Sequence, residues 1–237
     1  MLIEHDSRTS GPPAPWLTEL LYRVRWHFLL KLAATSLLIA LFFVGYFYVQ
    51  EAPLDTPTIM PLTELDLLIP FQPYALVPYL SLWIYVGAGP GLQRTGADLL
   101  KYTLWMGALC CTGLALFYLW PTRLPLLPAD ASSAQLLGML RRVDSISNAC
   151  PSMHVAAAVF TAIRVHDVLT RIRTPRALKA LNLIWCALIV YSTLAIKQHV
   201  VLDAVAGALF GALFGWSSLA LGQVSRPRMS PRPSEAI

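Results

Sequence analysis

Two short stretches carry residue types that can do chemistry together. One is Ala149-Cys150-Pro151-Ser152-Met153-His154, and the other is Lys197-Gln198-His199-Val200-Val201-Leu202-Asp203. His199 and Asp203 are four residues apart, so on a helix they share a face and reach each other. A carboxylate that accepts from one imidazole nitrogen fixes the tautomer and makes the other nitrogen a better nucleophile. Pro151 and Ser152 read as a helix start, with Ser152 as cap. Such an end offers backbone N–H groups to an anion, and His154 beside it can give a proton to a leaving oxygen. Lys197 and Arg123 add two cations. The set suits phosphoryl transfer, with charge building on an anion and a phosphohistidine as intermediate. Plainer readings stand beside this one. The His–Asp pair can simply cap and anchor a helix, His154 can sit at a membrane interface, and the cations can snorkel to headgroups. A metal site of His154, His199 and Asp203 is the weaker chemical alternative, and the expectation is no metal and no other cofactor.

These residues need elements to hold them. The chain has 237 residues, 56% hydrophobic and 13% charged, with a mean hydropathy of +0.57. A soluble domain usually carries about a quarter charged residues, so one core under a polar shell is excluded. The net charge of +5 sits between apolar runs, which points to membrane topology and not to nucleic acid. The four cysteines contain no C-x-x-C and form no framework. Cys150 reads as a small packing residue.

Six apolar runs of about membrane-spanning length follow one another, at residues 27–49, 71–88, 99–120, 154–169, 180–196 and 200–221. The first is too long for a signal-peptide core and has no small-x-small exit, so it reads as an uncleaved span. Prolines interrupt the second. The fourth is alanine-rich and carries Arg164, His166 and Asp167, so it belongs inside the bundle. In the sixth, Gly207, Gly211 and Gly215 make one smooth face for another helix. A surface helix is expected at 16–26 and a short one at 135–143.

The connectors alternate in charge. The amino terminus, the loop at Arg94, the segment 171–179 and the tail are basic, which places them in the cytoplasm. The expected fold is all-α: a polytopic six-transmembrane-helix bundle with both termini cytoplasmic. Residues 1–26 form a cytoplasmic or interfacial segment, 27–222 the membrane domain, and 223–237 a disordered basic tail. His154, His199, Asp203 and Arg123 then all fall at the outer face.

The sequence resembles a known family at this point. Cys150-Pro151-Ser152-Met153-His154 and the stretch from Ser192 to Asp203 are similar to the second and third signatures of the type-2 phosphatidic acid phosphatase superfamily, P-S-G-H and S-R-x5-H-x3-D. The likeness spans residues 61–211. It implies six membrane helices, an outward-facing metal-independent site, His199 as nucleophile, Asp203 as its orienting partner and His154 as acid. Met153 replaces the glycine. Thr193 replaces the arginine, with Lys197 taking over phosphate binding. In the first signature, K-x6-R-P, Arg123 supplies the arginine, but Leu116 and Leu124 stand at the lysine and proline. These variants, with Ile69-Pro70-Phe71-Gln72-Pro73-Tyr74 and Pro78-Tyr79, resemble the branch of inositol-phosphorylceramide and sphingomyelin synthases.

The expected function is an integral membrane lipid phosphatase hydrolysing a lipid phosphate or pyrophosphate through a phosphohistidine. His154, His199 and Asp203 are the catalytic residues, and Arg123, Ser152 and Lys197 bind phosphate. One alternative is a phosphotransferase moving a phospho-headgroup such as phosphoinositol between lipids. Another is a non-catalytic transporter or scaffold of the same fold, although a transporter would place its polar residues near mid-membrane. The expected partners are the lipid substrate and the bilayer, with no nucleic acid, and a homo-oligomer is left open. Compact size and short loops suggest a bacterial inner membrane with the site facing the periplasm.

Overall fold

The computed structural model describes residues 15–125 and 147–224. The expected helix at 135–143, the basic tail from 225 and Arg141 and Arg142 lie outside the described residues. The protein is mostly helical. In chain order, α1 (Pro15–Arg25), α2 (Phe28–Glu51), the two-residue β1 (Thr58–Ile59) and α3 (Glu64–Leu68) come first. A 3-10 turn (Pro73–Ala75) leads to α4 (Leu76–Leu80) and α5 (Leu82–Gly91). Then follow α6 (Gly96–Leu119), β2 (Thr122–Arg123), α7 (Met153–Arg171), α8 (Arg176–Ala195) and α9 (Val201–Val224).

Among the described residues, four helices are long and apolar enough to cross a membrane: α2, α6, α8 and the stretch Val201–Leu221 of α9. The remaining two apolar runs differ for stated reasons. The second is not one helix, because Pro73 and Pro78 remove backbone donors and the chain breaks into a 3-10 turn and two helices. The fourth, α7, has 19 residues, but Arg164, His166 and Asp167 make it less apolar. Its buried face is small and tight: Val155, Ala156, Ala158 and Phe160 are fully enclosed.

α2 is the opposite case. Of its 24 residues only Lys31, Tyr46 and Val49 are buried, and Leu29, Leu37, Leu41 and Val44 stand open. An apolar surface of that extent needs lipid or a partner to cover it. α9 divides cleanly. Leu202, Leu209, Leu213 and Trp216 face outward, while the glycine row faces α7. A Cβ on Gly207 would come within 2.4 Å of the Ser152 carbonyl oxygen, and one on Gly211 within 2.3 Å of that of Ala156. The two backbones touch because these positions have no side chain.

Lys31, a charge inside the first apolar run, lies one turn into α2 and is 3% exposed. Its ammonium donates to the carbonyls of Arg23 (2.7 Å), Gly91 (2.9 Å) and Gln93 (2.7 Å). It ties α1, α2 and the end of α5 together through groups that a helix terminus leaves without partners.

Candidate active site

The site begins with a turn. α8 ends at Ala195, and Lys197 takes a left-handed conformation with φ 58°. The chain doubles back so that the N–H groups of Gln198 and His199 both donate to the Thr193 carbonyl, at 3.0 and 3.1 Å. This sets His199 just ahead of α9. One turn further on, Asp203 is fully buried, and its Oδ2 accepts from His199 Nδ1 at 2.8 Å. The four-residue spacing produces the pair that helix geometry requires.

The second stretch is held by main-chain bonds. Thr122 accepts the Cys150 N–H on Oγ1 (2.8 Å) and the Ala149 N–H on its carbonyl (3.4 Å). The Ser152 N–H then donates to the carbonyl of Asp203 at 3.0 Å, so the two stretches are joined backbone to backbone. Gly207, one turn beyond Asp203, leaves room for that contact. Ser152 caps α7, accepting from the Val155 N–H at 3.3 Å. His154 follows, with Nδ1 3.5 Å from His199 Nε2 and Nε2 2.9 Å from the Tyr79 hydroxyl. The result is a line of four groups: Asp203, His199, His154 and Tyr79.

The predicted residues divide by place. His154, His199, Asp203 and Ser152 come together. Arg123 is exposed on β2, next to Thr122, and pairs through its backbone with Ile59 and Ser147. Lys197 reaches α3 and the stretch before the 3-10 turn. Its ammonium donates to the carbonyls of Asp66 (2.8 Å) and Ile69, which leaves one of its three protons. Burial lowers its tendency to hold that charge, and the Asp66 carboxylate works against the loss.

Several members of the site were not picked out from the sequence. Tyr79 contacts His154. Asp66, 4% exposed, closes a capping box with Thr63 and accepts the Val201 N–H on Oδ1 at 2.8 Å, which fixes the start of α9. Gln198 is buried, and its Nε2 has no hydrogen-bond partner among the described residues. Burial raises the Cys150 thiol to about 11, and the charge of Asp203 adds to the effect.

A mostly apolar cavity opens from the two imidazoles. It runs between α2, α5, α6 and α7, past Phe42, Trp83, Met106 and Met153, and has Gln198, His154 and His199 at its polar end. Among the described residues, no group of three or more His, Cys, Asp or Glu is placed to hold a metal ion. The arrangement can therefore offer an imidazole nucleophile beside an imidazole acid, at the mouth of a greasy cleft.

No curated protein and no solved structure matches the chain. Residues 117–227 match the family model of the PAP2 superfamily, and both histidine stretches lie inside that match, in line with the resemblance to the type-2 phosphatidic acid phosphatase superfamily.

Proposed function

We propose that the protein hydrolyses a lipid phosphate or pyrophosphate through a phosphohistidine on His199. The observation that carries this reading is the His199–Asp203 bond of 2.8 Å with His154 Nδ1 at 3.5 Å on the far side of the His199 ring. Members of the PAP2 superfamily are in general phosphatases or phosphotransferases. Asp203 accepts from Nδ1 of His199, so Nε2 carries the lone pair. A phosphoryl group entering between the two rings replaces their mutual contact. The Nε2–P bond forms as the P–O bond to the lipid breaks, and the leaving oxygen takes a proton from His154. Water then attacks phosphorus and gives a proton to His154, and the Nε2–P bond breaks to free the phosphate. The backbone N–H groups at the start of α7, capped by Ser152, meet the phosphate oxygens. Arg123 adds charge from β2, and Lys197 adds its remaining proton. The apolar cavity takes the lipid chain.

With six membrane passes, the site lies at the outer face and the basic connectors inside. The charge alternation of the loops supports that orientation, and the periplasmic face of a bacterial inner membrane is the location it suggests. A reporter fused after Arg176 should read cytoplasmic. A second reading is headgroup transfer to a lipid alcohol. It is favoured by the segment from Ile69 to Tyr79, which resembles the synthase branch and lies against the site.

The deciding experiment uses purified protein in lipid nanodiscs with phosphatidic acid, an isoprenyl pyrophosphate and phosphatidylinositol. Wild type should release phosphate or exchange a headgroup, and His199→Ala should lose at least about 10³-fold of that rate, as removal of a nucleophile does. Equal behaviour of the two proteins on all three lipids would sink the enzyme reading.

A further inference from the structure

His154 is held from both sides, and the two sides are not alike. Its Nδ1 faces His199 Nε2, and its Nε2 meets the Tyr79 hydroxyl at 2.9 Å. The Tyr79 ring also lies against the imidazole, with centroids 4.9 Å apart and planes 28° from parallel. Trp83 closes a third side edge-on at 6.1 Å. Tyr79 itself is 5% exposed and packs with Ala75, Ala195 and Ile196. The imidazole therefore has a fixed plane and a fixed partner behind it.

The proton positions follow in order. The Asp203 carboxylate can only accept, so Nδ1 of His199 carries hydrogen, and in the neutral ring Nε2 does not. A lone pair on His199 Nε2 calls for hydrogen on the nitrogen facing it, Nδ1 of His154. Nε2 of neutral His154 is then an acceptor, and the Tyr79 hydroxyl donates to it. We propose that Tyr79 is the positioning residue of the acid, holding His154 so that its working proton sits on Nδ1. This rests on the reading of His154 as proton donor given above.

A hydroxyl suits the role for a chemical reason. It can donate or accept by rotating. When His154 is doubly protonated, Tyr79 accepts from Nε2–H. After Nδ1 has given its proton to the leaving oxygen, Nε2–H stays bonded to Tyr79, and Nδ1 can take a proton from incoming water. One residue thus supports both halves of the cycle. Asp203 does something different, since its fixed charge steadies the positive ring of a phosphorylated His199. A neutral partner leaves His154 able to release its proton.

The test is Tyr79→Phe, which keeps the ring and its stacking. In detergent micelles the variant is compared with wild type on p-nitrophenyl phosphate and on dodecyl phosphate. The nitrophenolate leaves without help, whereas the dodecanol oxygen needs a proton. We expect kcat/KM on dodecyl phosphate to fall about 10- to 100-fold, up to the lower end of the roughly 10²- to 10⁴-fold range of general-acid catalysis, because Tyr79 acts through His154. On p-nitrophenyl phosphate kcat/KM, which reports steps only up to loss of the nitrophenolate, should stay within about threefold. An equal fall on both substrates would mark a merely structural role and overturn the proposal. A second measurement needs no turnover: 15N spectra of histidine-labelled protein at mildly alkaline pH, with the His154 signals assigned by their loss in His154→Gln. Wild type should show His154 protonated on Nδ1, and Tyr79→Phe should shift the tautomer balance. An Nε2–H tautomer in wild type, or no change in the variant, would also overturn it. If wild type cleaves neither phosphate, the proposed activity fails, and the spectra still decide the role of Tyr79.

Discussion

The two ends of α2 lead to polar clusters built on opposite rules. Near its start, Lys31 places its ammonium on three backbone carbonyls, which is its full donor capacity. Fifteen residues and about 22 Å further along the helix, Tyr46 donates to the Ser147 carbonyl at 3.4 Å and borders the candidate site. There the side chains bond chiefly to one another: Asp203 to His199, His199 to His154, His154 to Tyr79. Buried polar atoms are left over as well, since Asp203 Oδ1 and Gln198 Nε2 have no hydrogen-bond partner among the described residues. An unpartnered buried polar atom is costly unless something arrives to meet it. Both ends hold buried charge. Arg164 Nε and His166 Nδ1, further along α7, also have no hydrogen-bond partner among the described residues, so the chemical cluster is marked by leftover groups set beside two imidazoles and not by leftover groups alone.

The sharpest way to break this division is to separate the halves of the site without touching a reacting group. Gly207→Ala puts a Cβ 2.4 Å from the Ser152 carbonyl oxygen, a backbone atom that cannot swing aside. Either α7 and α9 part or Ser152 shifts, and His154 moves with it. Overpacking of this kind costs about 1–3 kcal/mol. A misplacement near 1 Å costs on the order of 100-fold in rate. Gly87→Ala is the control, because nothing lies within 4 Å of its Cβ position, and inside a helix the change should stabilise by about 0.5–1 kcal/mol. Phosphate release and thermal unfolding, measured on both variants, give the comparison. Full activity in Gly207→Ala would mean that the close approach of α7 and α9 does not set the site.

Lys31→Met tests the other end. The substitution keeps the stem and removes the donor, so three carbonyls lose a buried partner. Leaving such groups unsatisfied costs about 1–3 kcal/mol, and the thermal midpoint should drop accordingly. Turnover per folded molecule should be unchanged. A variant that stays stable but loses turnover would place Lys31 in the chemistry and dissolve the contrast between the two ends.

The sequence makes some of this molecule legible and hides the rest for identifiable reasons. Apolar runs near 20 residues announce helices because a bilayer permits few other solutions, and α2, α6, α8 and α9 follow them. Spacing alone brings His199 to Asp203, and a Pro-Ser pair ahead of an apolar run announces the start of α7. Tyr79 stands out in the sequence only through the likeness at Pro78-Tyr79, and its role was hidden because its partner lies 75 residues away. Pro73 and Pro78, both ahead of it, were the available signal, since the run that holds them breaks into a 3-10 turn and two helices. Asp66 was hidden in an acidic loop, where one carboxylate looks like another until Thr63 and Val201 select it. Lys197 shows the limit of linear adjacency. It neighbours Gln198 and His199 in the chain, but the left-handed turn at its own residue sends the ammonium to the carbonyls of Asp66 and Ile69. A sequence gives the order of residues, and a single φ angle decides which way a side chain leaves the turn.

Cys150 gives the smallest expected effect and the finest cut through the comparison. It sits inside the chemical end, beside Asp203, so position alone would make it a candidate nucleophile. Its use of partners says otherwise. The group it contributes is its backbone N–H, given to Thr122 Oγ1 at 2.8 Å, and its side chain is 6% exposed. Burial holds the thiol up near 11, and the neighbouring Asp203 charge pushes the same way. At pH 7 to 8 the sulfur is then protonated, and a neutral buried thiol is a poor nucleophile. Cys150→Ser preserves size and the backbone bond, so phosphate release should stay within about threefold, and stability should fall by about 1 kcal/mol for a newly buried hydroxyl. Iodoacetamide at pH 7.5 should modify Cys150 far more slowly in the folded protein than after unfolding, read by mass spectrometry of its peptide. As pH rises toward 11, the folded-state rate should climb, because thiolate then forms. Fast labelling at neutral pH, with a loss of activity that Cys150→Ser prevents, would move this cysteine from the packing of the site into its chemistry.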